Sequence, residues 1–275
     1  MRNKWRIIAF IIICVWLCLP GTVFAEDIPV TMDVNGQEVE MDTLGFIENG
    51  RTMMPIRFLT QALGVADIEW DPDQNIALVH LAEDMLLTLV AGDNRALINE
   101  EEFLFSREIP VIDGRMFVPI SEMKALLDFS IAYHARDVHI SIEKEGFLLN
   151  PSMYAEPKDR EEWLWLARIV EVEARGLPME NKIAVANVVL NRVRDMRFPS
   201  TVFDVIFDVD VHQQFPPAHK VGFSEILPSD DSYRGAKAAL YGVNNIDNCL
   251  FFNNRPFAGL SDRLYKVMNG EYFYY

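Results

Sequence analysis

The chain has 275 residues, with 25 Lys or Arg against 41 Asp or Glu, and a formal net charge of −16. This length allows one large domain or two ordinary ones, each able to bury a core. The acidic balance excludes nucleic acid as a partner, because phosphate binding needs a basic surface. The charge is uneven: residues 26–150 carry 8 basic and 24 acidic side chains, whereas residues 151–275 carry 14 and 17. This asymmetry predicts two units with different surfaces.

The first 25 residues predict a cleaved secretory signal peptide. A basic start precedes a 13-residue apolar run from Ile7 to Leu19, and the small residues Val23 and Ala25 occupy positions −3 and −1 before a cut after Ala25. The alternative, an uncleaved membrane anchor, is disfavoured because this run is short for a span of about 20 residues. We therefore expect a protein that is secreted or held in the cell envelope, with a signal peptide over residues 1–25.

Cysteine and histidine usage predicts no metal and no cofactor. Cys14 and Cys18 lie inside the predicted signal peptide, so Cys249 alone remains. A single thiol forms no internal disulfide and no cysteine-based zinc site. The five histidines are scattered, and none has a second histidine four residues away. We expect ordinary packing to hold the mature fold together.

A motif in residues 27–145 occurs twice, 64 residues apart, as Asn49–Ile56 and Asp113–Ile120. Each copy begins with Asn-Gly or Asp-Gly, the dipeptides that favour a type I′ hairpin turn. A short helix is predicted after each copy, over residues 57–63 and 121–127, and β-rich sequence follows each helix. The pattern predicts an accessory domain built as hairpin, helix, hairpin, repeated.

This layout resembles the copper amine oxidase N-terminal-like domain. The resemblance implies a non-catalytic stalk that contacts other cell-envelope proteins, and nothing in the sequence supports amine oxidation. The polar segment 146–160, which contains Gly146, Pro151 and Pro157, is predicted to be a linker or a wrapped connection between the two units.

Residues 161–174 have the length and composition of a helix. At 100° per residue, Arg168, Glu171 and Arg175 share one polar side, which predicts a solvated Glu171 paired with either arginine. Glu173 falls on the opposite, apolar side. Burial raises a carboxyl pKa, as a general acid requires. The alternative for Glu173 is a buried salt bridge to an arginine of the next helix.

Three ordered motifs follow in the second unit: Glu173-Ala-Arg-Gly176, Leu190-Asn-Arg-Val193 and Phe198-Pro-Ser-Thr-Val202. Together they resemble the cell wall hydrolase family of spore cortex-lytic enzymes (SleB-type). The resemblance implies a lysozyme-like, mainly helical α+β hydrolase domain over residues 161–275, with Glu173 as its catalytic residue. The overall fold class expected is α+β.

The sequence departs from the family pattern at three places. Leu177 replaces an acidic residue, Phe251-Phe-Asn-Asn-Arg255 lacks the usual Asn-Pro ending, and Asn269-Gly-Glu-Tyr-Phe273 lacks a histidine. These changes concern substrate contacts more than the reaction.

Further residues are candidates for substrate binding, each with a structural alternative. Asn187 and Asn191 are more simply buried amides that bind neighbouring loops, and Arg175 suits a surface ion pair equally well. The remaining candidates suit sugar rings through aromatic faces and amides, although core packing explains the aromatic ones equally well: Gln214, Phe215, Phe252 and Asn253.

The predicted function is cleavage of peptidoglycan glycan strands, most simply by a lytic transglycosylase with Glu173 as acid and then base. One alternative is a muramidase with a second carboxylate, for which the sequence offers Asp204, Asp208 and Asp230. The other is a non-catalytic protein that binds the cell wall. The sequence leaves open whether the substrate is vegetative wall or spore cortex.

Overall fold

The computed structural model describes residues 28–65, 67–82, 85–124, 126–156, 158–209 and 214–275. The predicted signal peptide lies outside these residues. Among the described helices, none combines the length and the apolar character that crossing a membrane requires.

The first unit consists of short strands and two helical turns around one hydrophobic core. Its elements follow the chain in this order: β1 (Thr31–Val34), β2 (Gln37–Glu38), β3 (Phe46–Glu48), β4 (Arg51–Pro55), α1 (Ile56–Ala62), β5 (Ile68–Asp71), β6 (Ile76–Ala82), β7 (Met85–Val90), β8 (Arg95–Ile98), β9 (Glu101–Leu104), β10 (Val111–Ile112), β11 (Arg115–Pro119), α2 (Ile120–Met123), β12 (Ser130–His134) and β13 (His139–Glu143).

The two copies of the sequence motif pair with each other. Hairpins β3–β4 and β10–β11 join through antiparallel β4 and β11, where Met54 lies opposite Val118. These two residues occupy the same position in their copies, so the pairing is symmetric about them. At both turns the two central residues have positive φ, 51° and 73° in the first copy and 48° and 73° in the second. The turn conformation predicted from Asn-Gly and Asp-Gly is confirmed.

Two further sheets complete the first unit, and part of them was not predicted. Strands β5 to β9 form a five-stranded antiparallel sheet, in which β7, β8 and β9 come from the sequence between the two motif copies. The other sheet has the order β12-β13-β1-β2, with β1 parallel to β13. Helix α1 agrees with its prediction to one residue. The prediction of a helix over residues 121–127 is wrong in extent, because α2 ends at Met123.

The second unit is a helical cluster with a small sheet. Its main elements are α3 (Arg160–Glu173), α4 (Met179–Arg194), α5 (Val202–Ile206), α6 (Asp230–Leu240), β14 (Phe251–Asn253), β15 (Leu264–Met268) and β16 (Glu271–Tyr274). The Asp159 carboxylate accepts hydrogen bonds from the first backbone N–H groups of α3, and the Ser229 hydroxyl does the same for α6. The sheet order is β14-β16-β15, all antiparallel. The chain is therefore α+β, as predicted.

Helices α3, α4 and α6 pack closely around buried aliphatic side chains. Gly235 on α6 meets Lys182 on α4, and a Cβ atom at Gly235 would lie 2.7 Å from the Lys182 Cβ. The buried Lys182 ammonium donates to the carbonyl oxygens of Ala174 (3.0 Å) and Leu177 (2.7 Å). Helix α6 therefore packs directly against Lys182, the residue that holds the chain immediately after α3.

Hydrogen bonds also join the two units. The connection 146–160 follows the first unit, where the Ala155 N–H donates to the Glu38 carbonyl (3.0 Å). Lys237 on α6 is buried and donates to the Thr31 hydroxyl (2.9 Å) and the Val138 carbonyl (2.9 Å). These contacts fit the wrapped connection rather than a free linker.

Gly235→Ala is expected to destabilise the protein by about 1–3 kcal/mol, because the added methyl group must displace Lys182 or separate the helices. The gain in helix propensity of up to about 1 kcal/mol is too small to offset this. Urea unfolding of the full chain measures the effect. Met196→Ala is the control, since Met196 is fully exposed and should change stability by no more than about 0.5 kcal/mol. Unchanged or higher stability of Gly235→Ala would contradict this packing.

Candidate active site

A cleft of about 350 Å³ lies between the end of α3 and the small sheet of the second unit. It is lined by Glu173, Arg192, Gln214, Pro216, Phe251, Phe252, Asn253, Asn254, Phe257 and Glu271. A larger cavity, of about 650 Å³, lies at the junction of the two units beside Lys237, and its lining includes none of the predicted site residues. The candidate chemistry is therefore in the smaller cleft.

Glu173 is the last residue of α3 and is half-buried in the wall of the cleft. Burial raises the pKa of its carboxyl to about 7; the negative charge of Glu271 acts in the same direction, and the positive charge of Lys220 opposes both. The raised pKa expected from the helix pattern is thus present. A carboxyl group with this pKa holds a proton in a large fraction of molecules at neutral pH, as a general acid must.

Glu171 has a different environment from the one predicted. Its pairing with Arg175 is confirmed at 3.0 Å, but the prediction of a solvated side chain is wrong, because Glu171 is buried. The carboxylate accepts hydrogen bonds from the Ser229 hydroxyl (2.6 Å), the Ser229 N–H (3.0 Å) and the Ser232 hydroxyl (2.7 Å). Burial alone raises the pKa of Glu171, but these hydrogen bonds and the Arg175 charge outweigh it and lower the pKa to about 2.

The Glu171 contacts connect the end of α3 to the start of α6. Ser229 caps α6, so the carboxylate lies at the helix end where partial positive charge favours an anion. Lys182 holds the backbone just beyond α3 through Ala174 and Leu177. Together these contacts fix the helical turn that carries Glu173 into the cleft.

The second carboxylate of the cleft is Glu271, at the start of β16. Burial raises its pKa also. The carboxylates proposed from the sequence do not line the cleft: Asp204 accepts a hydrogen bond from Thr201 beside α5, and Asp230 lies 3.5 Å from Arg136. Asp208 is not among the lining residues of the cleft, although its negative charge acts on the Arg192 guanidinium. Sequence reasoning missed Glu271 because its position depends on strand pairing.

Arg192 is a second cleft residue that the sequence analysis did not select, although it stands in the Leu190–Val193 motif. It is 3% exposed, and its guanidinium lies over the Phe215 and Phe251 rings, with centroid distances of 5.0 and 5.4 Å. Burial lowers its pKa to about 10, so it stays charged at neutral pH. Its Nε donates to the Leu250 carbonyl, while its buried Nη1 has no hydrogen-bond partner among the residues that the structure describes. This Nη1 is available to a ligand oxygen.

Three of the seven candidate binding residues line the cleft with Glu173, namely Gln214, Phe252 and Asn253. Phe252 stacks on Phe273, with a centroid distance of 6.0 Å and an interplanar angle of 21°. Phe215 is 1% exposed and packs behind Phe252, so it supports the cleft wall from the core.

The other three candidates lie outside the cleft lining. The Asn187 amide donates to the carbonyls of Ile183 and Val243, and the Asn191 amide donates to those of Asp247 and Cys249. Both side chains are buried, and they tie α4 to the loop before β14. This geometry fits the structural alternative. Arg175 is exposed and pairs with Glu171.

The first unit contains one cluster of ligand-type side chains among the described residues. The carboxylate and imidazole atoms of Asp67, Glu69 and His80 lie within 4.8 Å of one another, and all three residues are exposed. The absence of a metal or cofactor stays a prediction from the sequence.

Comparison with known protein families gives one match in each unit. Residues 33–142 match the copper amine oxidase N-terminal domain family, and residues 176–274 match the Cell Wall Hydrolase family. The two resemblances stated from the sequence motifs are confirmed. The second match begins at Gly176, just after Glu173, so the role of Glu173 depends on the motif and the geometry of the cleft.

Curated relatives resemble the second unit. The spore cortex-lytic enzyme of Oceanobacillus iheyensis is 35% identical over 89 residues, which cover 32% of this chain and 31% of that protein. The enzyme of the same name from Bacillus subtilis is 33% identical over 85 residues, or 29% and 28% of the two chains. The matched segment thus spans less than a third of the length of either relative.

Among solved structures, the catalytic domain of the germination-specific lytic transglycosylase SleB from Bacillus anthracis is 26% identical, with a TM-score of 0.39. The alignment covers 44% of this chain and 99% of that domain. The corresponding domain of the Bacillus cereus SleB protein is 23% identical, with a TM-score of 0.38, and covers 44% and 94%.

Glu171→Gln is expected to lower the free energy of unfolding by about 3 kcal/mol at pH 7, since a folded-state pKa of about 2 lies well below the ordinary value of 4.5. This stability is present above pH 4.5 and is lost as the pH falls towards 2. The difference between the two proteins should roughly halve by pH 3. Urea unfolding at both pH values measures it.

Glu225→Gln is the matched control, because Glu225 is an exposed carboxylate of the same unit and should change stability by no more than about 0.5 kcal/mol. Equal stability of Glu171→Gln and Glu225→Gln at pH 7 would show that the Glu171 contacts do not hold α3 to α6.

Proposed function

We propose that this protein is a secreted lytic transglycosylase that cleaves the β-1,4 bond between N-acetylmuramic acid and N-acetylglucosamine in peptidoglycan. The observation that carries the proposal is the half-buried Glu173 carboxyl, with a pKa raised to about 7, in the wall of an open cleft. The Cell Wall Hydrolase match and the spore cortex-lytic relatives support this substrate class.

In the proposed reaction, protonated Glu173 donates its proton to the glycosidic oxygen as the bond to muramic C1 breaks. The resulting Glu173 carboxylate accepts the proton of the muramic C6 hydroxyl, whose oxygen bonds to C1 and forms the 1,6-anhydro ring. Glu173 ends protonated, and no water is consumed. General acid–base catalysis of this kind supplies about 10²–10⁴-fold in rate.

The cleft offers contacts that suit an amino sugar. Phe252 presents an aromatic face, and Gln214 and Asn253 present amides. Within the described part of the chain the buried Arg192 Nη1 has no acceptor, and it suits an acetamido or carboxylate oxygen, because a buried donor gains most when it finds an acceptor. We assign these four residues to substrate binding.

We assign residues 27–145 to an accessory domain, built as a repeated hairpin–helix–hairpin. Residues 146–160 connect it to a lysozyme-like hydrolase domain over residues 161–275. After removal of residues 1–25, the protein would act in the cell envelope, on vegetative wall or spore cortex. The accessory domain would contact other envelope proteins there. The accessory domain is strongly acidic, whereas basic and acidic side chains nearly balance in the second unit.

One observation favours a second candidate, a muramidase that hydrolyses the same bond. Glu271 brings a second carboxylate to the cleft, and ordinary glycoside hydrolysis uses a carboxylate pair. The products distinguish the two candidates, since hydrolysis leaves a hydrated reducing end and transglycosylation leaves an anhydro end.

Glu173→Gln is expected to reduce turnover of purified peptidoglycan by at least about 10²-fold, because glutamine keeps the size but cannot deliver or regain the proton. Mass spectrometry of the glycan fragments should show 1,6-anhydromuramic ends, each one water lighter than a hydrolysed end. Vegetative and cortex peptidoglycan are digested in parallel.

Glu225→Gln is again the control, and it should retain the activity of the unmutated protein. Hydrated ends together with an inactive Glu173→Gln would replace the transglycosylase by the muramidase. Full activity of Glu173→Gln, or no release of fragments by the unmutated protein, would exclude the proposed function.

A further inference from the structure

Two carboxyl groups from distant parts of the chain face the same cleft. Glu173 ends α3, and Glu271 begins β16, almost a hundred residues later. Both side chains are half-buried. Among the described residues, neither carboxylate receives a hydrogen bond. Burial raises the pKa of both groups, and the charge of Glu271 raises that of Glu173 further.

The backbone fixes the position of Glu271. It follows the tight turn Asn269-Gly270, whose φ values are 48° and 85°, and it pairs with Met268 across the hairpin. The Asn269 amide donates to Asn181 Oδ1 (2.6 Å), and the Asn181 amide donates to the Met268 carbonyl (3.0 Å). These bonds anchor the turn to the first turn of α4, so the backbone that carries Glu271 is held beside the cleft.

The charges around the two carboxylates are few. Lys220 acts on Glu173 with the opposite sign, and Arg192 lies in the cleft wall, where the charge of Asp208 acts on it. Within the described part of the chain, no cation forms an ion pair with Glu173 or Glu271. Two like charges in one partly desolvated site resist simultaneous ionisation.

We propose that Glu271 is a positioning residue for the proton of the catalytic acid: its carboxylate ionises first, and its charge keeps the proton on Glu173 through neutral pH. Glu173 alone would then touch the glycosidic bond. The catalytic consequence rests on the proposed function, whereas the pairing of the two carboxyl groups is a property of the protein by itself.

The direct test is an NMR titration of the full mature chain with ¹³C-labelled glutamate carboxyl groups, in which Glu173→Gln assigns the Glu173 signal. In Glu271→Gln, the Glu173 midpoint should fall by about half to one pH unit, because the neighbouring negative charge is gone. Glu271→Asp keeps the charge and should leave the midpoint closer to that of the unmutated protein. Glu225→Gln should leave it unchanged.

The pH profile of peptidoglycan cleavage gives a second measurement. The alkaline limb of kcat/KM should move down in Glu271→Gln by the same amount as the NMR midpoint. A merely structural role would lower activity at every pH and leave the limb in place.

An unmoved Glu173 midpoint in folded Glu271→Gln would overturn the inference, whatever the activity. A lowered midpoint supports it even where the unmutated protein cleaves no peptidoglycan, and in that case the proposed function alone fails. The two failures are therefore distinguishable.

Discussion

The hydrogen bonds that the Glu171 carboxylate accepts are the contact on which the geometry of the second unit depends. They join the last turn of α3 to the capped start of α6, through Ser229 and Ser232. Lys182 holds the chain immediately beyond that turn, and the close approach of Gly235 requires α6 to lie directly against Lys182. Because burying a carboxylate costs free energy unless it is fully hydrogen-bonded, this arrangement tolerates little movement. Glu173 lies on the same turn and shares its rigidity, which the proposed role as catalytic acid requires for placement against a glycosidic oxygen.

Glu171 and Glu173, two positions apart on α3, thus have pKa values shifted in opposite directions. Glu171 gains donors and a positive neighbour, which lower its pKa to about 2, whereas burial and the charge of Glu271 raise that of Glu173 to about 7. At 100° per residue the two side chains leave α3 on nearly opposite sides. One therefore faces α6 and the other faces the cleft. A carboxyl group becomes structural or reactive here through its surroundings, since the side chains are identical.

Local signals in the sequence predicted what local geometry determines. The Asn49 and Asp113 turns follow from dipeptides that accept positive φ, and the raised pKa of Glu173 follows from the apolar side of one helix. Contacts between distant residues were not predictable in this way. Glu171 binds a serine 58 residues away, so helix periodicity predicted the wrong environment for it. Glu271 reaches the cleft because β16 pairs with β14, and helix periodicity gives no signal for that pairing. The position of Arg192 was likewise not predictable, because three aromatic rings from distant parts of the chain surround its guanidinium.

The crystal structure of Glu173→Gln bound to a peptidoglycan tetrasaccharide tests most directly whether this cleft is the catalytic centre. The variant keeps the size of the side chain and should bind the glycan without cleaving it. We predict a β-1,4 glycosidic oxygen within hydrogen-bond distance of the residue 173 amide, about 2.6–3.2 Å, with the sugar against Phe252 and an oxygen on Arg192. A glycan bound only at the junction of the two units or on the first unit, away from residue 173, would contradict the account.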